Sequence, residues 1–228
     1  MNYFLDTEFL EGFYKPLFGK RRHFIDLISI GIVADDGREY YAVNRDMDLK
    51  KAWEDDWIRK NVLESLHDDL YRNESMYAKT YHYESIAFTY KGMKNLIKWH
   101  GKSIFHIRHD IEAFVNPQRQ LYSGPANWFS EENVRKHNYS IDMVACQPTF
   151  YAYYADYDWV LFCSMFGRMI NLPEGFPMYC RDLKQMMDER GLDKDLKQMN
   201  CPEPKNAHNA LEDARWNKQL FDTITNKK

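Results

Sequence analysis

The chain opens on an apolar, β-prone run, Asn2-Tyr-Phe-Leu-Asp-Thr-Glu-Phe-Leu10, into which two carboxylates are set two residues apart. The run predicts a buried strand over residues 3–9. Side chains alternate across a strand, so Asp6 and Glu8 lie side by side on one face. Ionised groups on a buried strand are costly unless a cation compensates. Two readings fit: a strand end with both acids in water, or a pair of acids that holds something positive. Three letters do not choose between them.

Two later segments bear on the choice. Lys205-Asn-Ala-His-Asn-Ala-Leu-Glu-Asp-Ala-Arg215 follows the breaker Cys201-Pro-Glu-Pro204 and opens a helix that continues through Leu220 and Phe221. Asp213 falls early in that helix, and His208 falls near its start, where it can swing toward the same cleft. A helix N-terminus capped by Asn206, with an ordinary surface histidine, has the same spelling. Upstream, residues 149–154 read as an aromatic-rich strand and the run from Trp159 to Phe166 as a packed helix. Asp158 sits at their junction, at the carboxyl end of the strand, where open α/β sheets bind ligands. Asp156 competes as a cap or turn residue. Asp158 is preferred because it directly precedes the apolar run and follows Tyr157.

The chain also holds decoys. Asp110-Ile-Glu112 repeats the Asp-x-Glu spelling, but Ile104, Ile107, Ile111, Phe114 and Val115 follow a helical period. Residues two apart on a helix face different ways, so these acids are expected in solvent. His137-x4-Asp142 repeats the C-terminal spacing without the small residues that follow His208, and is assigned to an insertion.

Four carboxylates and a histidine, in the order Asp6, Glu8, Asp158, His208, Asp213, are what a two-metal phosphodiesterase needs. A phosphodiester is anionic and resists water. A pair of divalent cations generates hydroxide and stabilises the leaving oxygen. Hard cations such as Mg²⁺ or Mn²⁺ take oxygen ligands. A histidine, titrating near neutrality, can receive the proton of the attacking water.

The chain resembles the DEDD exonuclease superfamily, in the subtype with histidine in the third motif (DEDDh). Several blocks are similar to the small bacterial 3′–5′ exoribonucleases typified by mycobacterial RNase AS. They begin at Tyr3, Ile25, Asp36, Asp56, Ala155 and His208 and cover roughly two-thirds of the chain. The resemblance implies an α/β, ribonuclease H-like mixed sheet with helices on both faces. It implies that Asp6, Glu8 and Asp213 hold one metal, that Asp6 bridges to a second supported by Asp158, and that His208 is the general base. The tyrosine subtype carries its residue one position later, where this chain has Asn209. Phe9 stands where relatives often place an apolar side chain against the terminal base. Many relatives have Asn four residues before the second-motif Asp, and this chain has Tyr154. The implied activity is removal of nucleoside 5′-monophosphates from a single-stranded RNA 3′ end or 3′ overhang. The implied assembly is a homodimer. A DNA exonuclease with the same site is the runner-up, and a non-catalytic nucleic-acid-binding protein is the rival from another class.

At 228 residues the chain suits one exonuclease domain, with insertions at about 68–99 and 116–148 that the shorter relatives lack. No apolar run spans a membrane, the N-terminus has no export signal, and four scattered cysteines suit reduced thiols in a cytoplasmic protein. The net charge of −3 is a poor guide to nucleic-acid binding, because cations at the acidic site would cancel part of it. Local charge is more telling. Phe13-Tyr-Lys-Pro-Leu-Phe-Gly-Lys-Arg-Arg22 interleaves cations with aromatics, and Lys20, Arg21 and Arg22 are candidate substrate contacts. A solvated loop with Phe18 tucked into the core fits equally. The tyrosines at 71, 77, 81, 83 and 90 suggest an added lobe or a dimer contact. Other expected elements are strands over 24–34, 38–43 and 178–180, and helices over 53–66, 90–98, 104–115, 158–166 and 181–190.

Overall fold

The computed structural model describes residues 1–115, 147–192, 201–202, 204 and 208–226. Its strands are β1 (Asn2–Tyr14), β2 (Arg22–Ala34), β3 (Glu39–Val43), β4 (Thr149–Ala152) and β5 (Arg181–Asp182). They form one five-stranded sheet in the order β3-β2-β1-β4-β5. β1, β2 and β3 pair antiparallel, and β4 and β5 join in parallel on the far side of β1. Gly37, at φ +85°, closes the β2–β3 turn. The arrangement is α/β and consistent with a ribonuclease H-like fold.

Helices cover both faces. α1 spans Leu49–Glu54; α2 starts at Asp56–Ile58 and runs through a π-helical turn, Arg59–Leu63, into Glu64–Arg72. α3 (Met76–Tyr81), α4 (Tyr83–Ile86), α5 (Tyr90–His100) and α6 (Ile104–Val115) follow, then α7 (Asp156–Met165), α8 (Leu183–Glu189) and α9 (Ala210–Asn226). The alternation of β1 divides the core. Tyr3 and Leu5 pack with Ile107 and Ile111 of α6 and with Trp159 and Phe162 of α7. Phe4 faces the other way, onto Leu183, Trp216 and Leu220 of α8 and α9. Leu10, Ile28 and Val43 close a third cluster with Leu63, Leu66 and Leu96. Burying a side chain such as Phe4 or Phe162 contributes about 1.5–3 kcal/mol.

Several boundaries differ from the sequence reading for identifiable reasons. The helix expected over 53–66 is broken because Asp55 adopts an extended backbone and caps α2, accepting the N–H groups of Trp57 and Ile58. The strand expected at 178–180 lies instead at Arg181–Asp182, beside Tyr151 and Ala152. Asp182 then caps α8, so that helix begins at Leu183. The helix expected from Asp158 begins at Asp156, which places Asp158 in its first turn. Asp110 is not free in solvent: it is part-buried, accepts from Tyr40 at 3.3 Å and pairs with Lys102 at 2.6 Å. Residues 116–146, with the His137 and Asp142 decoy, and Asn206 lie outside the described residues.

Gly31 fixes how near α9 comes to the sheet. It sits opposite Asp6 in the β1–β2 register. A Cβ on Gly31 would overlap the Ala210 carbonyl at the start of α9. Asn217, one turn beyond Asp213, donates to the Leu5 carbonyl at 2.9 Å and pins the helix to β1. Gly31→Ala is therefore expected to displace α9 and cost about 1–3 kcal/mol, as overpacking does. Thermal unfolding checks this: the melting temperature falls, and an unchanged one contradicts the close-approach role.

Candidate active site

Strand β1 presents Asp6 and Glu8 on the face covered by α9, and Asp213 arrives from the first turns of that helix. Ligand oxygens of Asp6, Glu8 and Asp213 all lie within 4.8 Å of one another. Among the described residues this is the one such cluster of acidic or metal-ligating side chains. It opens into a cleft of about 440 Å³, lined by residues 6–11 of β1, by Asp55, Trp57 and Ile58, and by His208 and Asp213.

The C-terminal loop is built to aim Asp213. His208 adopts φ +70°, a left-handed conformation that costs an L-residue on the order of 1 kcal/mol. With that turn, two successive backbone amides converge on one carboxylate oxygen: His208 N–H at 2.9 Å and Asn209 N–H at 3.2 Å from Asp213 Oδ2. Asn209 is buried and serves two sides. Its Oδ1 caps α9 by accepting from the N–H groups of Leu211 and Glu212, and its Nδ2 donates to Ser65 and Asp69 of α2. α2 thereby holds the loop that carries His208 and Asn209. The His208 ring meets the Trp57 ring edge-on, with centroids 4.8 Å apart.

Asp158 is placed differently. It is buried, and its Oδ1 accepts from Thr7 N–H at 2.9 Å and from Thr7 Oγ1 at 2.6 Å. β4 pairs with β1 only as far as Phe4, so the Thr7 N–H beyond it needs another acceptor. Asp158 supplies it from the start of α7. The residue thus sits against the middle of the Asp6-Thr7-Glu8 triplet without joining the set of three close oxygens.

Burial and mutual repulsion set the electrostatics. Burial, then the charges of Asp158, Glu8 and Asp213, hold the Asp6 carboxyl well above the usual carboxylate range. Glu8 is pushed to about 8, by burial first and by Asp213 and Asp158 after it. Burial raises Asp213 to about 6 against the opposing pull of the His208 and Asn209 amides. It raises Asp158 to about 6 against the two Thr7 hydrogen bonds. Such a group of carboxylates is stable when ionised only if positive charge joins it. The donors are all hard oxygens, which fits Mg²⁺ or Mn²⁺.

Of the candidate contacts, Phe9 packs beside the site with its ring edge-on to Tyr157 at 5.4 Å. Lys20, Arg21 and Arg22 lie at the exposed end of the β1–β2 hairpin, away from the carboxylates. The same hairpin carries Phe18, which is 89% exposed and not tucked into the core. Sequence reasoning assigned no role to Thr7, Trp57, Asp69 or Gly31. Thr7, Gly31 and Trp57 fall in blocks shared with relatives, which was their one hint, and Asp69 falls outside those blocks.

Comparison with known proteins settles the family. Residues 1–225 match the Rv2179c-like 3′-5′ exoribonuclease domain. The chain belongs to that family. It is 30% identical over 228 residues to the 3′-5′ exoribonuclease Rv2179c of Mycobacterium tuberculosis strain ATCC 25618 / H37Rv, covering 99% of this chain and 94% of that protein. The 3′-5′ exoribonuclease MT2234.1 of strain CDC 1551 / Oshkosh matches to the same extent.

The raised carboxyls make a prediction for this family member that needs no substrate. Their folded-state pKa values exceed the unfolded ones, so the native state keeps protons that the unfolded state has released. Stability of the cation-free protein therefore falls as pH rises from about 4.5 to about 8. In EDTA the melting temperature should drop across that window. Mn²⁺ should raise it more at pH 8 than at pH 5, and Asp213→Asn should blunt the gain. A cation response independent of pH contradicts the electrostatic account.

Proposed function

We propose that the protein is a metal-dependent 3′–5′ exoribonuclease of the DEDDh type, acting by a two-metal mechanism on a single-stranded RNA 3′ end or 3′ overhang. The observation that carries this reading is the convergence of Asp6, Glu8 and Asp213 within 4.8 Å in a cleft that His208 also lines. Family membership supports the reaction class.

Asp6, Glu8 and Asp213 would hold one divalent cation, and Asp6 with Asp158 a second. When bound, such cations supply Lewis acidity to the phosphate and lower the pKa of water. The protein's own residues do the rest. Thr7 fixes Asp158 against the strand. The two amides fix Asp213. His208 receives the proton of the attacking water at a ring nitrogen, with Trp57 limiting the swing of its ring. Water oxygen bonds to phosphorus as the bond from phosphorus to the 3′ oxygen breaks. The products are a nucleoside 5′-monophosphate and a strand one nucleotide shorter. Phe9 offers an apolar surface near the terminal base, and Lys20, Arg21 and Arg22 offer cations to the backbone.

Two further expectations complete the proposal. Tyr77, Tyr81 and Tyr83 of the first insertion are exposed and suit a contact between two copies of the chain in a homodimer. A cytoplasmic setting agrees with free thiols at Cys163, Cys180 and Cys201; among the described residues no helix is long and apolar enough to cross a membrane.

Matched RNA and DNA oligonucleotides with chromatography of the products test the substrate and the base together. RNA should yield 5′-monophosphates and DNA much less. His208→Ala should lose about 10²–10⁴-fold in kcat, the usual worth of general-base catalysis, while keeping its fold. Equal action on both polymers would favour the DNA-exonuclease reading, and full activity in His208→Ala would reduce His208 to a wall of the cleft.

A further inference from the structure

The β1–β2 hairpin is longer than the sheet that carries it. β4 pairs with β1 only through Phe4, and β3 pairs with β2 only from Ser29 onward. Pairing between β1 and β2 continues to Tyr14 and Arg22. From Phe9 outward the two strands therefore form a ribbon with no third strand on either side. Lone two-stranded ribbons are marginal in water. The base of this one is supported by Leu10 and Phe24, which pack on the cluster around α1 and α2. Its end is not: Leu17 and Phe18 are 91% and 89% exposed, and Phe13 is 57% exposed.

The chemistry at that end is one-sided. Residues 13–22 contain Lys15, Lys20, Arg21 and Arg22 and no acid. Among the described residues none of these four cations is in an ion pair; the nearest pair is His23 with Glu11, within the ribbon itself. Arg21 lies over the Phe13 ring at 4.1 Å, which holds a guanidinium and an aromatic face together at the surface. Cations beside exposed rings fit a phosphate backbone carrying unpaired bases.

The ribbon also leads away from the cleft in register with it. Phe9, Leu10 and Glu11 line the cleft and then continue into the ribbon. Tyr14 is six residues beyond Glu8, which at about 3.3 Å per residue puts the end of the ribbon about 20 Å from the carboxylates. That is about two Debye lengths at 0.1 M salt, so these cations do not serve to neutralise the acidic cluster.

We propose that this ribbon is a distal grip for single-stranded RNA, engaging the backbone upstream of the scissile bond and making the enzyme sensitive to substrate length. A stacked strand rises about 3.4 Å per nucleotide, which places the grip about six nucleotides upstream over the ~20 Å span. The proposal rests on the exoribonuclease reading above and adds where the strand is held.

The test measures kcat/KM on oligoribonucleotides of two to twelve nucleotides, for the wild type, for Lys20→Ala/Arg21→Ala/Arg22→Ala, and for Phe18→Ser. The two variants change only exposed side chains, and circular dichroism confirms their fold. The wild type should gain steeply once length passes about six nucleotides. The triple variant should lose most of that gain, and its slope of log KM against log salt should fall by about 2, at ~0.7 per phosphate contact on single strands. Phe18→Ser should lose part of the gain with the salt slope kept. Identical length profiles in variant and wild type overturn the grip. So does an equal loss at every length, or a change of oligomeric state with the profile unchanged, which would assign Phe18 to a contact between copies. Failure of the wild type to cut RNA of any length would instead remove the exoribonuclease reading itself.

Discussion

Like charges held together away from water govern the rest of this molecule. Asp6, Glu8 and Asp213 converge within 4.8 Å, and burial raises every one of their carboxyls. A fold tolerates such a cluster when its backbone is fixed by stronger constraints than the repulsion. Here β1 is central in the sheet, α9 rests on Gly31, and Asn217 ties that helix to the Leu5 carbonyl. Two backbone amides hold Asp213, and Thr7 holds Asp158. The cost of the left-handed turn at His208 belongs to the same balance, since that turn brings the amides onto Asp213.

The parts of this arrangement that depend on local period were legible in the sequence. Period two put Asp6 and Glu8 on one face, and the strand-to-helix change located Asp158. The breaker before residue 205 located the helix that carries Asp213. The mixed sheet with helices on both faces followed from the family resemblance. What escaped depends on contacts between distant segments. Leu27 and Ile30 share a face although three apart, because the register slips between Glu8 and Phe9 and adds a residue at Ile28. No local pattern announces such a slip. Gly31 reads as one glycine in an apolar run, and its meaning lies in the Ala210 carbonyl above it. Trp57 reads as a helix residue and turns out to face His208 across the cleft. Phe18, offered to either core or solvent by its letters, is in solvent because the ribbon has no core to reach.

Charge is divided between two places in the molecule. Acids gather at the cleft, where a cation would offset them, and cations without acids gather at the ribbon end. A net charge of −3 describes neither. On the proposed function the division has a physical logic: attraction would act at a distance from the reacting phosphate, and the acids of the cleft would be left for metal. α2 joins two of these contacts, since its Ser65 and Asp69 hold the Asn209 that caps α9 while its Trp57 meets His208.

The central claim is that the carboxylate cluster is a cation-dependent centre for RNA hydrolysis. The most direct measurement is a time course on 5′-labelled single-stranded RNA with Mg²⁺, with Mn²⁺ and with EDTA, for the wild type beside Asp6→Ala. The account predicts a ladder that shortens from the 3′ end with either cation and is absent in EDTA and in the variant. A ladder that persists in EDTA, or in Asp6→Ala with cation present, would contradict it.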